Sequence, residues 1–213
     1  MVHPKFLLAF LTFASLFAAG ITPAKAQEPV RILAFGDSLT AGYGLSDTEG
    51  FTAQLTAALV KMGRQAVVIN GGVSGDTSAG GVQRIDWALA DRPRIVILEL
   101  GANDALRGLD PAQMKANLLT IVGKAKAAGA EVLLAGMLAP RNLGSDYATA
   151  YDAVFPDIAQ AESLDFYPFF LDGVVGKPAL NQADGIHPTA EGVAIIVARL
   201  LPSLTKMMDR LLQ

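Results

Sequence analysis

The sequence contains no cysteine and only two histidines in 213 residues. The first absence excludes disulfides, thiolate metal sites and a cysteine nucleophile, so a packed hydrophobic core must hold the fold. The second excludes a histidine-rich zinc site. No run of Lys or Arg is present, which argues against nucleic acid or an anionic membrane surface as partner. Gly-x-x-x-x-Gly-Lys-Ser/Thr, Gly-x-Gly-x-x-Gly and Gly-x-Ser-x-Gly are all missing, which argues against nucleotide-binding loops and the α/β-hydrolase elbow. No repeat, low-complexity tract or linker divides the chain, and its length suits one domain.

A long apolar run occurs at the N-terminus. Lys5 precedes apolar or small residues from Phe6 to Ile21, followed by Pro23-Ala24-Lys25-Ala26. This is the order of a secretory signal cut after Ala26, so residues 1–26 are expected to be removed and residues 27–213 to form the domain. The run is short for a membrane span, and no cysteine is available for a lipid anchor. The expected location is periplasmic or secreted, without stable membrane insertion. The remainder carries 15 Lys and Arg against 20 Asp and Glu, a net charge of −5.

Cleavage also removes His3, which leaves His187 as the one imidazole. It stands in Asp184-Gly185-Ile186-His187-Pro188. An Asp three residues upstream can accept from the ring Nδ1–H and orient it. Pro188 biases His187 towards extended backbone, which favours projecting the ring into a cleft. A base with its own orienter calls for a nucleophile, and Ser38 in Gly36-Asp37-Ser38-Leu39 directly follows an apolar strand.

The pattern alternates short β-rich runs with longer helical ones. Strands are expected at 31–35, 66–70, 94–100, 131–135 and within 164–170. Helices are expected at 51–62, 77–90, 111–128, 145–161, where Pro156 threatens a kink, and 189–211. Asp110 and Pro111 mark a helix start. The last helix carries an apolar stripe of Val193, Ile196, Val197, Leu200, Leu204 and Met208. Such alternation implies a parallel sheet covered on both faces, with a site at the carboxyl ends of its strands.

Ester hydrolysis needs an activated hydroxyl, a base and donors for the developing oxyanion. Ser38 offers the hydroxyl and its own N–H, His187 the base, and Asp184 the group that sets the tautomer. The expected further donors are the Gly75 N–H, ahead of a helix start, and the Asn103 side-chain amide after the third strand. Activity should require neutral His187 and fall on acidification.

Gly36-Asp37-Ser38-Leu39 with Thr40-Ala41-Gly42-Tyr43-Gly44, then Ser74-Gly75-Asp76-Thr77, then Glu99-Leu100-Gly101-Ala102-Asn103-Asp104, then Asp184-Gly185-Ile186-His187-Pro188, resemble the four sequence blocks of the SGNH (GDSL) hydrolases. The second and third blocks are most similar to the periplasmic arylesterase, thioesterase and lysophospholipase branch. The resemblance implies Ser38, Gly75, Asn103 and His187 as signature residues, with Asp184 as third triad member. It also implies a three-layer α/β/α fold with five parallel strands in the flavodoxin-like order 2-1-3-4-5, and no cofactor or metal. A small-molecule acyl or aryl ester or thioester is the expected substrate, and a monomer the expected state. Two alternatives stand beside this reading. One is a carbohydrate O-acetyl esterase using the same chemistry; the other is a non-catalytic flavodoxin-like binding protein.

Other residues receive humbler expectations. Asp37, Asp76 and Asp104 are read as loop hydrogen-bonding residues, and Tyr43 and Trp87 as packing residues. Phe166, Tyr167, Phe169 and Phe170 are read as core. Leu106, Arg107 and Leu109, close after Asn103, are candidates for lining an acyl groove.

Overall fold

A computed structural model describes residues 28–211, so the expected leader at 1–26 lies outside the described residues. Twelve principal elements alternate along the chain. They are β1 (Val30–Gly36), α1 (Ser38–Ala41), α2 (Phe51–Lys61), β2 (Ala66–Gly72), α3 (Ser78–Ala88), β3 (Ile95–Glu99), α4 (Ala102–Leu106), α5 (Pro111–Ala127), β4 (Glu131–Ala135), α6 (Ser145–Glu162), β5 (Asp165–Tyr167) and α7 (Ala190–Leu211). The five strands form one parallel sheet in the order β2-β1-β3-β4-β5. Helices α2 and α7 pack together, and α3, α5 and α6 pack in succession, so helices cover both faces. The fold and strand order are those expected.

Burial follows position in the sheet. Every residue of β3 is buried, and in β1 only Arg31 is exposed. These are the Ile- and Leu-rich runs, whose two faces both meet helices. β2 lies at an edge and no residue of it is fully buried, although its sequence reads much like the interior strands. β5 is a short strand of three residues inside the stretch expected to hold it, and Pro168 follows it directly.

The helix ends have local causes. Asp110 caps α5 by accepting from the Ala112 N–H, with Pro111 in the first turn. The start of α7 has no acidic capping box; Thr189 Oγ1 accepts from the Gly192 N–H instead. The expected stripe of α7 is buried throughout. Helix α6 runs through Pro156 without interruption, forgoing one ladder bond. Among the described residues no helix is long and apolar enough to cross a membrane.

Because β1 has β2 on one side and β3 on the other, the order of connection reverses there. A crevice opens at such a point, outside the carboxyl ends of the strands.

Candidate active site

Ser38 leaves β1 as the first residue of α1, a position whose N–H has no intrahelical acceptor. Asp37 caps this short helix, its Oδ1 accepting from the Leu39 N–H at 3.0 Å. Gly42 closes it in the left-handed region at φ 82°. The turn is tightly bounded. A Cβ at Gly36 would overlap Thr40 Oγ1 and both the carbonyl and the carboxylate of Glu99, so no larger residue fits there.

The histidine arrives from the other end of the chain. His187 Nε2 lies 2.9 Å from Ser38 Oγ, and its Nδ1 lies 2.7 Å from Asp184 Oδ2. Asp184 Oδ1 also accepts from the backbone N–H groups of Ile186 at 2.9 Å and His187 at 3.0 Å. The loop is fastened on both sides. An antiparallel bridge joins Asn181 to Pro188, and the Asn181 amide donates to the carbonyls of Val174 and Lys177. Gln182 Nε2 donates to the carbonyls of Tyr43 and Pro188, tying the histidine loop to the serine turn.

Gly75 sits in the loop after β2 with φ 82°, a conformation that disfavours a side chain. Asn103 lies in α4, with one Nδ2 hydrogen donated to Asp37 Oδ2 at 3.0 Å. The second hydrogen of that amide remains for a ligand. Ser38, Gly75, Asn103 and His187 all line one cavity of about 580 Å³, with Asp184 behind the imidazole. Its walls are mainly apolar, with Leu106, Met137, Leu138, Phe169 and Val175 among them.

The structure brings the five principal residues together, and places some of the others differently. Leu106 lines the cavity, but Arg107 and Leu109 do not; the Arg107 guanidinium donates to the Gly75 carbonyl, and the Leu109 carbonyl accepts from Tyr147 Oη. Tyr43 is not a packing residue. It is 53% exposed and lies against the imidazole, ring centroids 4.5 Å apart at 38°. Trp87 is also no packing residue, being 83% exposed on α3. Tyr167 and Phe170 are core, and Phe166 and Phe169 pack against it, with Phe169 also lining the cavity.

Asp76 and Asp104 hold loops, as expected. Asp104 accepts from the Ser78 N–H and Oγ–H, joining α4 to the start of α3. Asp76 pairs with Arg84, a residue the sequence did not single out. The Arg84 guanidinium also donates to the carbonyls of Gly71 and Gly36 and stacks over Phe35. It locks the carboxyl ends of β1 and β2 together, beneath the loops that carry Ser38 and Gly75. Glu99, at the end of β3, was likewise missed and is fully buried.

The carboxyl groups are in contrasting environments. Asp184 is held down to about 2, first by the His187 backbone N–H, then by the His187 ring and the Ile186 N–H. Its stabilising contribution is present above the ordinary aspartate range and lost as pH falls through about 2. Burial pushes Asp37 up to about 6, against the opposing hydrogen bonds from Leu39 and Asn103. Burial, and then the charge of Asp37, push Glu99 well above the usual glutamate range.

A raised carboxyl binds more protons folded than unfolded, so its contribution to stability declines as pH rises above the unfolded value. Glu99→Gln removes that ionisation. Its thermal midpoint is expected to match wild type near pH 4 and to exceed it by several degrees at pH 8, about 2–4 °C per kcal/mol for a domain of this size. Thermal unfolding followed by circular dichroism at both pH values checks this; a constant difference would refute it.

A family model described as GDSL-like Lipase/Acylhydrolase matches residues 34–195. Among similar proteins, esterase TesA of Pseudomonas aeruginosa is 41% identical over 178 residues, covering 83% of this chain and 89% of its own. Thioesterase 1/protease 1/lysophospholipase L1 of Escherichia coli K12 is 37% identical over 207 residues, covering 97% and 93%. Among solved structures, psychrotrophic esterase EstA of Pseudoalteromonas, inhibited by monoethylphosphonate, superposes with a TM-score of 0.80 at 34% identity, covering 84% of this chain and 98% of its own.

Proposed function

This chain belongs to the GDSL-like lipase/acylhydrolase family, and from that premise we propose that it is a serine hydrolase of acyl and aryl esters and thioesters. The 2.9 Å contact between Ser38 Oγ and His187 Nε2, with Asp184 on the other ring nitrogen, carries this reading.

The chemistry follows from protonation states. Asp184 is ionised at neutral pH, so it accepts the Nδ1–H and leaves Nε2 with its lone pair towards Ser38. Ser38 Oγ attacks the carbonyl carbon as Nε2 takes its proton. The oxyanion is met by the N–H groups of Ser38 and Gly75 and the free Nδ2–H of Asn103. Collapse expels the alcohol or thiol with the proton from His187 and leaves an acyl group on Ser38. Water, deprotonated by His187, then releases the acid and restores Ser38.

The apolar cavity supports an acyl chain as the group it accommodates. The leader-like residues 1–26 support work outside the cytoplasm, in the periplasm or as a secreted protein, after their removal. A monomer without a cofactor suffices, since the proposed donors, base and nucleophile all come from one chain.

The test is hydrolysis of p-nitrophenyl esters from acetate to palmitate by the purified protein. Turnover that increases beyond acetate is expected; no turnover of any ester would overturn the reading. Leu106, half-exposed on the cavity wall, sets part of the chain-length preference. Leu106→Ala is expected to lower the kcat/KM ratio of octanoate to acetate about 5- to 30-fold, from about one to two kcal/mol of lost apolar contact. An unchanged ratio would remove Leu106 from the acyl-binding wall.

A further inference from the structure

Glu99 is a carboxyl group with no role in the steps above, yet it lies within the fold at the foot of the nucleophile turn. It is 0% exposed. Its Oε2 accepts from Thr40 Oγ1 at 2.8 Å and from the Asp37 N–H at 3.3 Å. These partners flank Ser38, one residue before and two after. Its Oε1 is buried with no hydrogen-bond partner among the described residues.

An ionised carboxylate with a bare buried oxygen is very costly, whereas a neutral acid is far less so. Protonation of Oε1 leaves Oε2 free to accept both hydrogen bonds. The upward push that burial gives Glu99 agrees with this. The contacts continue outward. Asp37, held at its N–H by Glu99, uses one carboxylate oxygen on the Leu39 N–H and the other on Asn103 Nδ2. The Asp37 contact decides that the Asn103 amide nitrogen, not its oxygen, turns this way. Glu99 is thus linked to both the nucleophile turn and the oxyanion-hole amide.

We propose that Glu99 is a positioning residue: a buried neutral acid that clamps Asp37 and Thr40, and through Asp37 orients Asn103 for the oxyanion. This rests on the catalytic assignment above. It also accounts for Gly36, since any side chain there would displace the Glu99 carboxyl group.

The test compares Glu99→Gln and Glu99→Leu with wild type, all shown to be folded by circular dichroism. Gln reproduces the neutral acid, with its Oε1 accepting both hydrogen bonds; Leu has similar bulk and accepts none. On p-nitrophenyl butyrate, Glu99→Leu should lose about 10- to 100-fold in kcat with KM changed less than threefold, as expected of misplaced transition-state donors. Glu99→Gln should stay within about threefold of wild type. The Asn103 side-chain 1H–15N resonances, assigned through Asn103→Ala, should move in Glu99→Leu and stay in Glu99→Gln. This readout does not need turnover. An inactive wild type with the expected resonance pattern would sink the esterase reading and leave the positioning role standing. An active wild type with Glu99→Leu unchanged in kcat and resonances would overturn the positioning role. Gln as impaired as Leu would overturn the neutral-acid clamp.

Discussion

Ser38→Ala is expected to lower kcat on p-nitrophenyl esters by about 10⁴-fold or more, the scale seen when a serine hydrolase loses its nucleophile. The replacement deletes one oxygen and leaves the turn intact. Asp37 still caps α1, and Glu99 still holds Thr40 and the Asp37 N–H. The thermal midpoint should therefore stay close to wild type. Residual hydrolysis above the uncatalysed rate is expected, because the oxyanion donors and the binding wall remain. A phosphonate ester offers a second readout. Wild type should be inactivated with one phosphonyl group added per chain, detected by intact-protein mass spectrometry, and Ser38→Ala should gain none. Wild-type turnover surviving in Ser38→Ala would disprove the nucleophile assignment.

Asp184→Asn is expected to lower kcat by about 10³- to 10⁴-fold, although it alters neither nucleophile nor base. The asparagine carbonyl can still accept from the Ile186 and His187 N–H groups. Its NH₂ then faces Nδ1 as a donor, so Nδ1 must present its lone pair and the proton moves to Nε2. That tautomer cannot take a proton from Ser38. Asp184 is 38% exposed, so water screens part of its charge, and the lower end of the range is favoured over the upper. With its pKa held down to about 2, Asp184 remains ionised throughout mildly acidic conditions. Loss of wild-type activity on mild acidification then comes from a group other than Asp184: the imidazole of His187 or the carboxyl of Asp37, pushed up to about 6 and bonded to Asn103. Full kcat in Asp184→Asn, or a wild-type profile flat well into acid, would refute these roles.

The proposed triad was legible because its chemistry draws on residue types that are scarce here. Outside the leader-like residues 1–26 the sequence holds one imidazole, so His187 had no competitor, and Asp184 stood three residues away. Gly75 and Asn103 were legible from their places after strands and from their blocks' resemblance to a known family. Strand alternation revealed the layered sheet, since runs such as Ile95 to Leu98 are apolar without a polar face. The order of strands came from the resemblance rather than from periodicity.

Residues acting over long sequence separations were not legible. Arg84 reads as an ordinary charged position on a helix, yet its partners Asp76, Gly71 and Gly36 lie 8, 13 and 48 residues away. Gln182 reaches across 139 residues to the Tyr43 carbonyl. In sequence Tyr43 and Trp87 look like packing residues because an aromatic ring carries the same hydrophobic signal whether a neighbour covers it or not. Leu106 and Leu109 are three residues apart, but only one lines the cavity.

By itself the sequence determined the layered scaffold and the candidate reacting groups, because residue chemistry and apolar spacing are local properties. The tertiary structure alone decided which polar groups are buried, and against what. Glu99 and Asp37 acquire their raised proton affinity from burial, which depends on neighbours drawn from distant parts of the chain. The sequence names these carboxyl groups; the packed strands and helices around them set their charge.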